Sequence, residues 1–166
     1  MNKKLIAILF LMAPLAIFAQ KFGHLNSAEI IQAMPEYTKA QTELQELEKQ
    51  CTNELQMMEQ ELAKKSEAYE KEKATLPANI QQRRETELQE LYGRMQQYYQ
   101  QSQQDLQQAS QEKMAALTEK ITKAIKEVGV AGGYVYIFDL ASGIPYISET
   151  LSTDVTAAVK SKLGIK

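Results

Sequence analysis

Few side chains in this sequence could carry out catalysis or bind a metal. His24 is the only histidine and Cys51 the only cysteine among the 166 residues. Neither has a partner at the spacing of a metal site or of a nucleophile and its base, and no glycine-rich phosphate loop precedes a helix. We therefore interpret His24 as a structural residue, and we expect no catalytic centre, no cofactor site and no metal site.

Two long runs, Ala28–Leu76 and Ala78–Val128, are predicted to be amphipathic helices. Good helix formers fill both runs, and apolar residues recur at steps of three and four. Pro77 stands where one helix must end and another can begin, so we predict a bend near residues 76–79. In the resulting antiparallel hairpin, with imperfect coiled-coil packing, the numbers of facing residues should sum to about 155. The predicted seam consists of Tyr37, Ala40, Leu44, Leu47, Cys51, Leu55, Met58, Leu62, Tyr69 and Leu76 with Leu88, Leu91, Met95, Tyr99, Leu106, Ala109, Leu117, Ile121, Ala124 and Val128.

Three apolar side chains, Met57, Tyr92 and Tyr98, fall outside this seam. They are either candidates for contacts with another polypeptide or residues that merely flank the seam, and both interpretations stay open. Nearby, the run Gln96–Gln111 holds nine glutamines, interleaved with apolar residues at helical spacing. This pattern predicts an uncharged polar helix face, which can make many weak contacts without desolvating charges.

The N-terminus has the pattern of a secretory leader. Lys3 and Lys4 precede the apolar run Leu5–Phe18, which at 14 residues is too short to span a bilayer. We predict cleavage after Ala19, an exported mature chain and no stable membrane anchor. In an oxidising compartment Cys51 is either a small buried side chain or half of a disulfide between two copies, and both interpretations stay open.

The residues outside the leader and the arm (residues 28–128) form a predicted β-rich head, residues 20–27 and 129–166. Strands are predicted at Lys21–Leu25, at Tyr134–Asp139 and at Ile144–Ser148, with a short C-terminal helix capped by Thr156 or Ser152. A head of about 46 residues is too small for a stable core of its own, so we expect oligomerisation. The candidate oligomerisation residues are Val135, Ile137 and Phe138.

Charge excludes one further class of partner. Without Lys3 and Lys4 the chain carries 17 basic and 21 acidic residues, a net charge of −4. A nucleic-acid-binding surface needs a basic stripe, and the sequence contains none, so we expect no nucleic-acid partner.

The order of leader, strand, two long helices, strand hairpin and short helix resembles the Skp/OmpH family of periplasmic chaperones. Three phrases carry the resemblance: Phe22-Gly23-His24-Leu25-Asn26, Gly133-Tyr134-Val135-Tyr136-Ile137-Phe138-Asp139, and Asp154-Val155-Thr156 followed by Val159 and Lys162-Leu163-Gly164. The resemblance implies a mainly α fold in which a long helical hairpin is attached to a small β-barrel body formed by trimerisation. It further implies that unfolded outer-membrane proteins are held between the arms, in the periplasm and without ATP.

Two functions fit this organisation, and neither is enzymatic. The first is a holdase chaperone, which spreads apolar surface along its arms. The second is a non-catalytic periplasmic spacer or adaptor, which concentrates its contacts at the hairpin tip. The out-of-seam candidates lie along the arm, so we favour the holdase. Some family members bind clients through basic arms, whereas this chain is acidic. We therefore expect it to bind a client through apolar and amide contacts.

Overall fold

The computed structural model describes residues 20–165, so the predicted leader, residues 1–19, lies outside the described part of the chain. Short 3-10 turns at Lys73–Thr75 and Leu140–Ser142 accompany the regular elements. In chain order these elements are β1 (Lys21–Leu25), α1 (Ser27–Ala33), α2 (Pro35–Glu72), α3 (Ala78–Gly132), β2 (Tyr134–Asp139), β3 (Ser152–Asp154) and α4 (Thr156–Lys162).

Helix α1 is a short entry helix that is separated from the arm by a break at Met34. The Asn26 side chain caps α1 by accepting the Glu29 amide hydrogen, and Met34 adopts an extended conformation. Pro35 then occupies the first turn of α2, where its missing amide hydrogen removes no intrahelical bond. A proline at position 35 of the sequence predicts a kink or a break before Glu36, and the break is confirmed.

The bend between the two long helices lies where the sequence predicts it. After α2 and the 3-10 turn, Leu76 is extended and Pro77 precedes the first residue of α3. The helices then run antiparallel, and Lys120 contacts Glu36 while Tyr69 contacts Glu85. These facing residues agree with the predicted sum of about 155.

The head contains one parallel sheet in the order β2-β1-β3. Helix α3 has 55 residues and α2 has 38, so the returning helix carries the chain past the whole of β1. Gly133, with a φ of 66°, then reverses the chain, and β2 starts with Tyr134 opposite Lys21. The helical hairpin is thus the crossover connection that parallel strands require.

Three local predictions in the head are wrong. Ile144–Ser148 is not a strand; the third strand is β3, Ser152–Asp154, which pairs with β1 in parallel. Pro145 lacks an amide hydrogen, and that loss weakens the case for a strand there. Thr156 is the first residue of α4, and its amide is capped by the Asp154 side chain. The second long helix ends at Gly132, not before Gly129.

The hydrophobic core sits at the junction of head and arm. Val155 at the N-terminus of α4 and Val159 within it, together with Leu25 of β1, pack against the last third of α3. The head therefore completes its core with residues of the arm, which explains how so few head residues can bury one. The complete buried cluster is Leu25, Ile30, Met34, Leu117, Ile121, Ala124, Val155 and Val159.

Candidate functional site

A groove lies halfway along the arm, between α2 and α3. It has a volume of about 420 Å³ and combines apolar floor residues with amides and one carboxylate. The residues that line it, which we call the mid-arm groove, are Leu55, Glu59, Met95, Gln96, Tyr99 and Gln100. The groove can accommodate an apolar side chain of a bound polypeptide beside polar partners.

The two adjacent tyrosines of α3 exchange the roles that the sequence assigns to them. Tyr99, predicted in the seam, is 53% exposed, whereas Tyr98, predicted outside it, is half-buried. Burial raises the pKa of Tyr98; the Ser102 hydroxyl lowers it, and Cys51 raises it further. The placement of Tyr98 outside the seam is therefore wrong. Buried Ser102 continues the seam one turn later, and its polar side chain conceals this path in the sequence.

The other two out-of-seam candidates are exposed but do not share one face. Met57 is 57% exposed and Tyr92 is 50% exposed. Tyr92 accepts a hydrogen bond from Gln96 of the mid-arm groove at 2.8 Å. Met57 lies about 160° around α2 from Glu59, because each residue of a helix advances the direction by about 100°. Tyr92 therefore adjoins the groove, and Met57 lies on the opposite side of α2.

Ion pairs join the two helices close to the head. Lys120 contacts Glu36 at 2.9 Å, and Lys113 contacts Glu43. The hydrogen bond from Lys120 lowers the pKa of Glu36, and the hydrogen bond from Lys113 lowers that of Glu43. These pairs fix the register of the helices where the arm leaves the head.

A second group of polar contacts lies near the bend. Lys65 donates a hydrogen bond to Glu87 at 2.6 Å, which raises the pKa of the lysine and lowers that of the glutamate. Tyr69 is buried and donates to Glu85 at 2.5 Å, and this bond with the carboxylate raises the pKa of the phenol to about 12. One ion pair and one phenol–carboxylate hydrogen bond thus join the two helices near the bend.

One face of the head sheet carries a stack of three aromatic rings, two of them exposed and that of Phe22 half-buried. The Phe22 and Tyr136 rings are parallel, with centroids 6.4 Å apart, and Phe138 stacks on Tyr136 at 5.9 Å. Tyr136 is 61% exposed and Phe138 is also exposed, so this part of the stack is open to solvent in the single chain. We call Phe22, Tyr136 and Phe138 the aromatic face.

The structure separates the three candidate oligomerisation residues. Val135 is the extra residue of an irregularity in the pairing of β1 with β2, and it is exposed. Ile137 is half-buried against the core of its own chain, so its proposed role in a shared interface stays a prediction. Phe138 belongs to the aromatic face. Because side chains alternate along a strand, Ile137 and Phe138 lie on opposite faces, and Tyr136 lies on the same face as Phe138. This alternation was the signal in the sequence that pointed to Tyr136.

His24 and Cys51 have the structural surroundings expected of ordinary residues. His24 Nδ1 lies 2.8 Å from the Ser152 hydroxyl and links β1 to β3. Cys51 is half-buried as a free thiol within the arm. Among residues 20–165, no three metal-binding side chains converge, and no helix is long and apolar enough to cross a membrane.

A family model described as "Outer membrane protein (OmpH-like)" matches residues 21–163, which include the whole arm and nearly all of the head. The chain belongs to the OmpH-like family. No curated protein matches its sequence.

A solved structure from Caulobacter crescentus CB15, described as that of a "putative outer membrane chaperone (OmpH-like)", has a similar fold. The two superpose with a TM-score of 0.75 at 17% sequence identity, covering 87% of this chain and 83% of the other. At this identity the likeness concerns the fold. The long hairpin on a small sheet is therefore an arrangement that this OmpH-like chain shares with a distant structure.

Proposed function

We propose that this chain is an ATP-independent periplasmic holdase that binds unfolded outer-membrane proteins between its arms and prevents their aggregation. Its membership of the OmpH-like family and the chaperone description of the Caulobacter structure support such a role. The arm also supports it, because two helices of about 57 and 82 Å at 1.5 Å per residue extend far beyond the head.

The distribution of exposed apolar side chains carries the proposal. Along the described arm the large exposed ones are Met57, Tyr92, Tyr99 and Met114, whereas none lies between residues 58 and 91. An adaptor that docks through its tip would need such residues at the bend. A holdase needs them along the arm, where a flexible client can contact several at once.

We further propose that three copies assemble through their heads. A parallel sheet is normally covered on both faces, and here the helices cover only one. The aromatic face and the open edges of β2 and β3 are surfaces that other copies would cover. Assembly would also place several arms around one space, which is the arrangement that a holdase needs.

The test uses the mature chain, residues 20–166, and an unfolded outer-membrane β-barrel protein. The client is diluted from urea into buffer without ATP, and its aggregation is followed by light scattering. We expect the mature chain to suppress scattering at a small molar excess. Undiminished aggregation at every ratio would contradict the holdase and favour the adaptor, which needs a folded partner.

A further inference from the structure

The mid-arm, residues 44–60 and 95–111, differs in charge from both ends of the arm. It contains the acids Glu46, Glu48, Glu54, Glu59 and Asp105 but only one base, Lys49. The interhelical ion pairs lie closer to the head or to the bend. Within the described part of the chain, none of these mid-arm charges takes part in a salt bridge. Acidic and basic side chains are paired near both ends of the arm, whereas the mid-arm has an excess of acidic side chains that form no salt bridge with any described residue.

The mid-arm groove lies within this uncompensated region. Leu55 and Met95 give it an apolar floor, and the exposed ring of Tyr99 stands beside them. Glu59 adds a carboxylate that forms no salt bridge with any described residue. An apolar side chain can be buried on this floor, while an aromatic ring face and a carboxylate both attract a cation.

We propose that the mid-arm groove selects unfolded client segments in which a lysine or arginine stands next to an apolar or aromatic side chain. The apolar side chain enters the groove, and the cation lies between Glu59 and the Tyr99 ring. This inference rests on the proposed holdase function and specifies which client segments it prefers. Segments with acids at the same position are disfavoured by the surrounding negative charge.

Charge also decides between a client and a second copy of the arm as occupant of the groove. A neighbouring mid-arm carries the same excess of acids, so packing two of them together brings like charges close. A cationic client segment instead compensates the mid-arm. The chemistry therefore favours a client of opposite charge over self-association at this position.

The test compares three fluorescent peptides with identical apolar residues, in which one pair of positions is Lys, Ser or Glu. Fluorescence anisotropy gives the affinity of each for the full mature chain. At low ionic strength we expect the Lys peptide to bind about fivefold more tightly than the Ser peptide, and the Glu peptide to bind weakest, as for exposed charge pairs. The Lys preference should fade as salt is raised, whereas binding of the Ser peptide should change little.

Two matched variants separate the groove from the net charge of the protein. Glu59→Gln and Glu90→Gln remove the same charge, but only Glu59 lines the mid-arm groove. We expect Glu59→Gln to reduce the Lys preference and Glu90→Gln to preserve it. Tyr99→Ser should weaken binding of all three peptides, because it removes apolar contact area.

Several outcomes would overturn the inference, and they differ in what they imply for the holdase. Equal affinities for the three peptides, or equal effects of the two glutamate variants, would remove the proposed selectivity while leaving the holdase intact. Failure of every peptide and of the unfolded β-barrel protein to bind would contradict both. Self-association that Tyr99→Ser abolishes would assign the groove to a second copy.

Discussion

The carboxylate of Asp139 holds the start of helix α1 through Ser27, although 112 residues separate the two in sequence. One carboxylate oxygen accepts the Ser27 amide hydrogen at 3.0 Å, and the other accepts the Ser27 hydroxyl at 2.5 Å. The first oxygen also accepts the amide of Ala141. Asp139 therefore ties the end of β2 to the point where the chain leaves the head for the arm.

This arrangement predicts how stability depends on pH. Burial raises the pKa of Asp139, but the hydrogen bonds from Ser27 and Ala141 outweigh it and hold the pKa below the ordinary value of 3.8. The stabilisation is therefore complete above about pH 4 and is lost as the pH falls through the lowered pKa. We expect Asp139→Asn to cost about 1 kcal/mol at neutral pH, since a charge-assisted hydrogen bond is lost.

Thermal unfolding at a fixed protein concentration checks this prediction. The melting temperature of Asp139→Asn should lie about 2–4 °C below that of the wild type at pH 7, and the gap should narrow toward pH 3. Glu90→Gln, an exposed carboxylate on the arm, is the control and should leave the melting temperature unchanged. A gap that stays constant with pH would contradict the assignment.

Two glycines of the α3 region should respond oppositely to substitution by alanine. A Cβ at Gly93 or at Gly133 would meet nothing within 4 Å, so space does not distinguish them. Gly133 has a φ of 66°, which costs an alanine about 1–2 kcal/mol. Gly93 lies inside a helix, where alanine gains about 0.5–1 kcal/mol. Chemical denaturation should show Gly133→Ala destabilised and Gly93→Ala stabilised; the same sign for both would refute this explanation.

Periodicity and proline chemistry were sufficient to predict the arm. The spacing of apolar residues gives the helices, and Pro35 and Pro77 mark the positions where helices begin. These signals are local, since each depends on residues within one or two turns. The bend could therefore be predicted because it depends on residues that are close in sequence.

The failures in the head have a different origin. The third strand is the segment that reaches β1 after a loop, which is Ser152–Asp154 and not Ile144–Ser148. Local composition does not encode which segment reaches β1. The exchange of Tyr98 and Tyr99 likewise depends on how two long helices rotate against each other. A shift of one position along α3 turns the side chain by about 100°, enough to move it from seam to surface.

Assembly through the aromatic face predicts a sharp effect of Tyr136→Asp. The side chain is 61% exposed in the single chain, so the substitution should leave the fold of each copy intact. In an assembled head it would bury an unpaired charge, which is strongly unfavourable. We expect sedimentation to show a monomer for this variant and a trimer for the wild type.

The control for this experiment is Tyr92→Asp, which changes a tyrosine on the arm that is 50% exposed and should stay trimeric. Ile137→Asp is uninformative, because Ile137 packs against the core of its own chain and its loss would unfold the monomer. A Tyr136→Asp variant that still sediments as a trimer would show that the assembly surface lies elsewhere.

The predicted leader, residues 1–19, gives a prediction about the mature N-terminus. Lys3 and Lys4 followed by a short apolar run predict export and cleavage after Ala19. Mass spectrometry of the protein isolated from its native host should therefore find Gln20 as the first residue. Recovery of the uncleaved chain from the inner membrane would disprove this prediction.

The neighbouring tyrosines of α3 give the most direct separation of stability from client binding. Tyr98 is half-buried beside Cys51, so Tyr98→Ser should cost about 1–3 kcal/mol of stability, as expected when a packed side chain is truncated. Tyr99 is exposed in the mid-arm groove, so Tyr99→Ser should leave the melting temperature unchanged. Circular dichroism measures this difference.

The two substitutions should have the opposite order of effect on client binding, which is measured by light scattering with an unfolded outer-membrane protein. At a temperature where both variants are folded, Tyr99→Ser should suppress aggregation less well, and Tyr98→Ser should act like the wild type. Met57→Ser extends the comparison to the opposite side of α2: if that side faces away from the client, the substitution should have no effect. A client segment held by apolar contacts must lie on the face of the arm whose side chains it requires. If Tyr99→Ser still suppressed aggregation and Met57→Ser did not, the client would therefore lie on the other side of the arm.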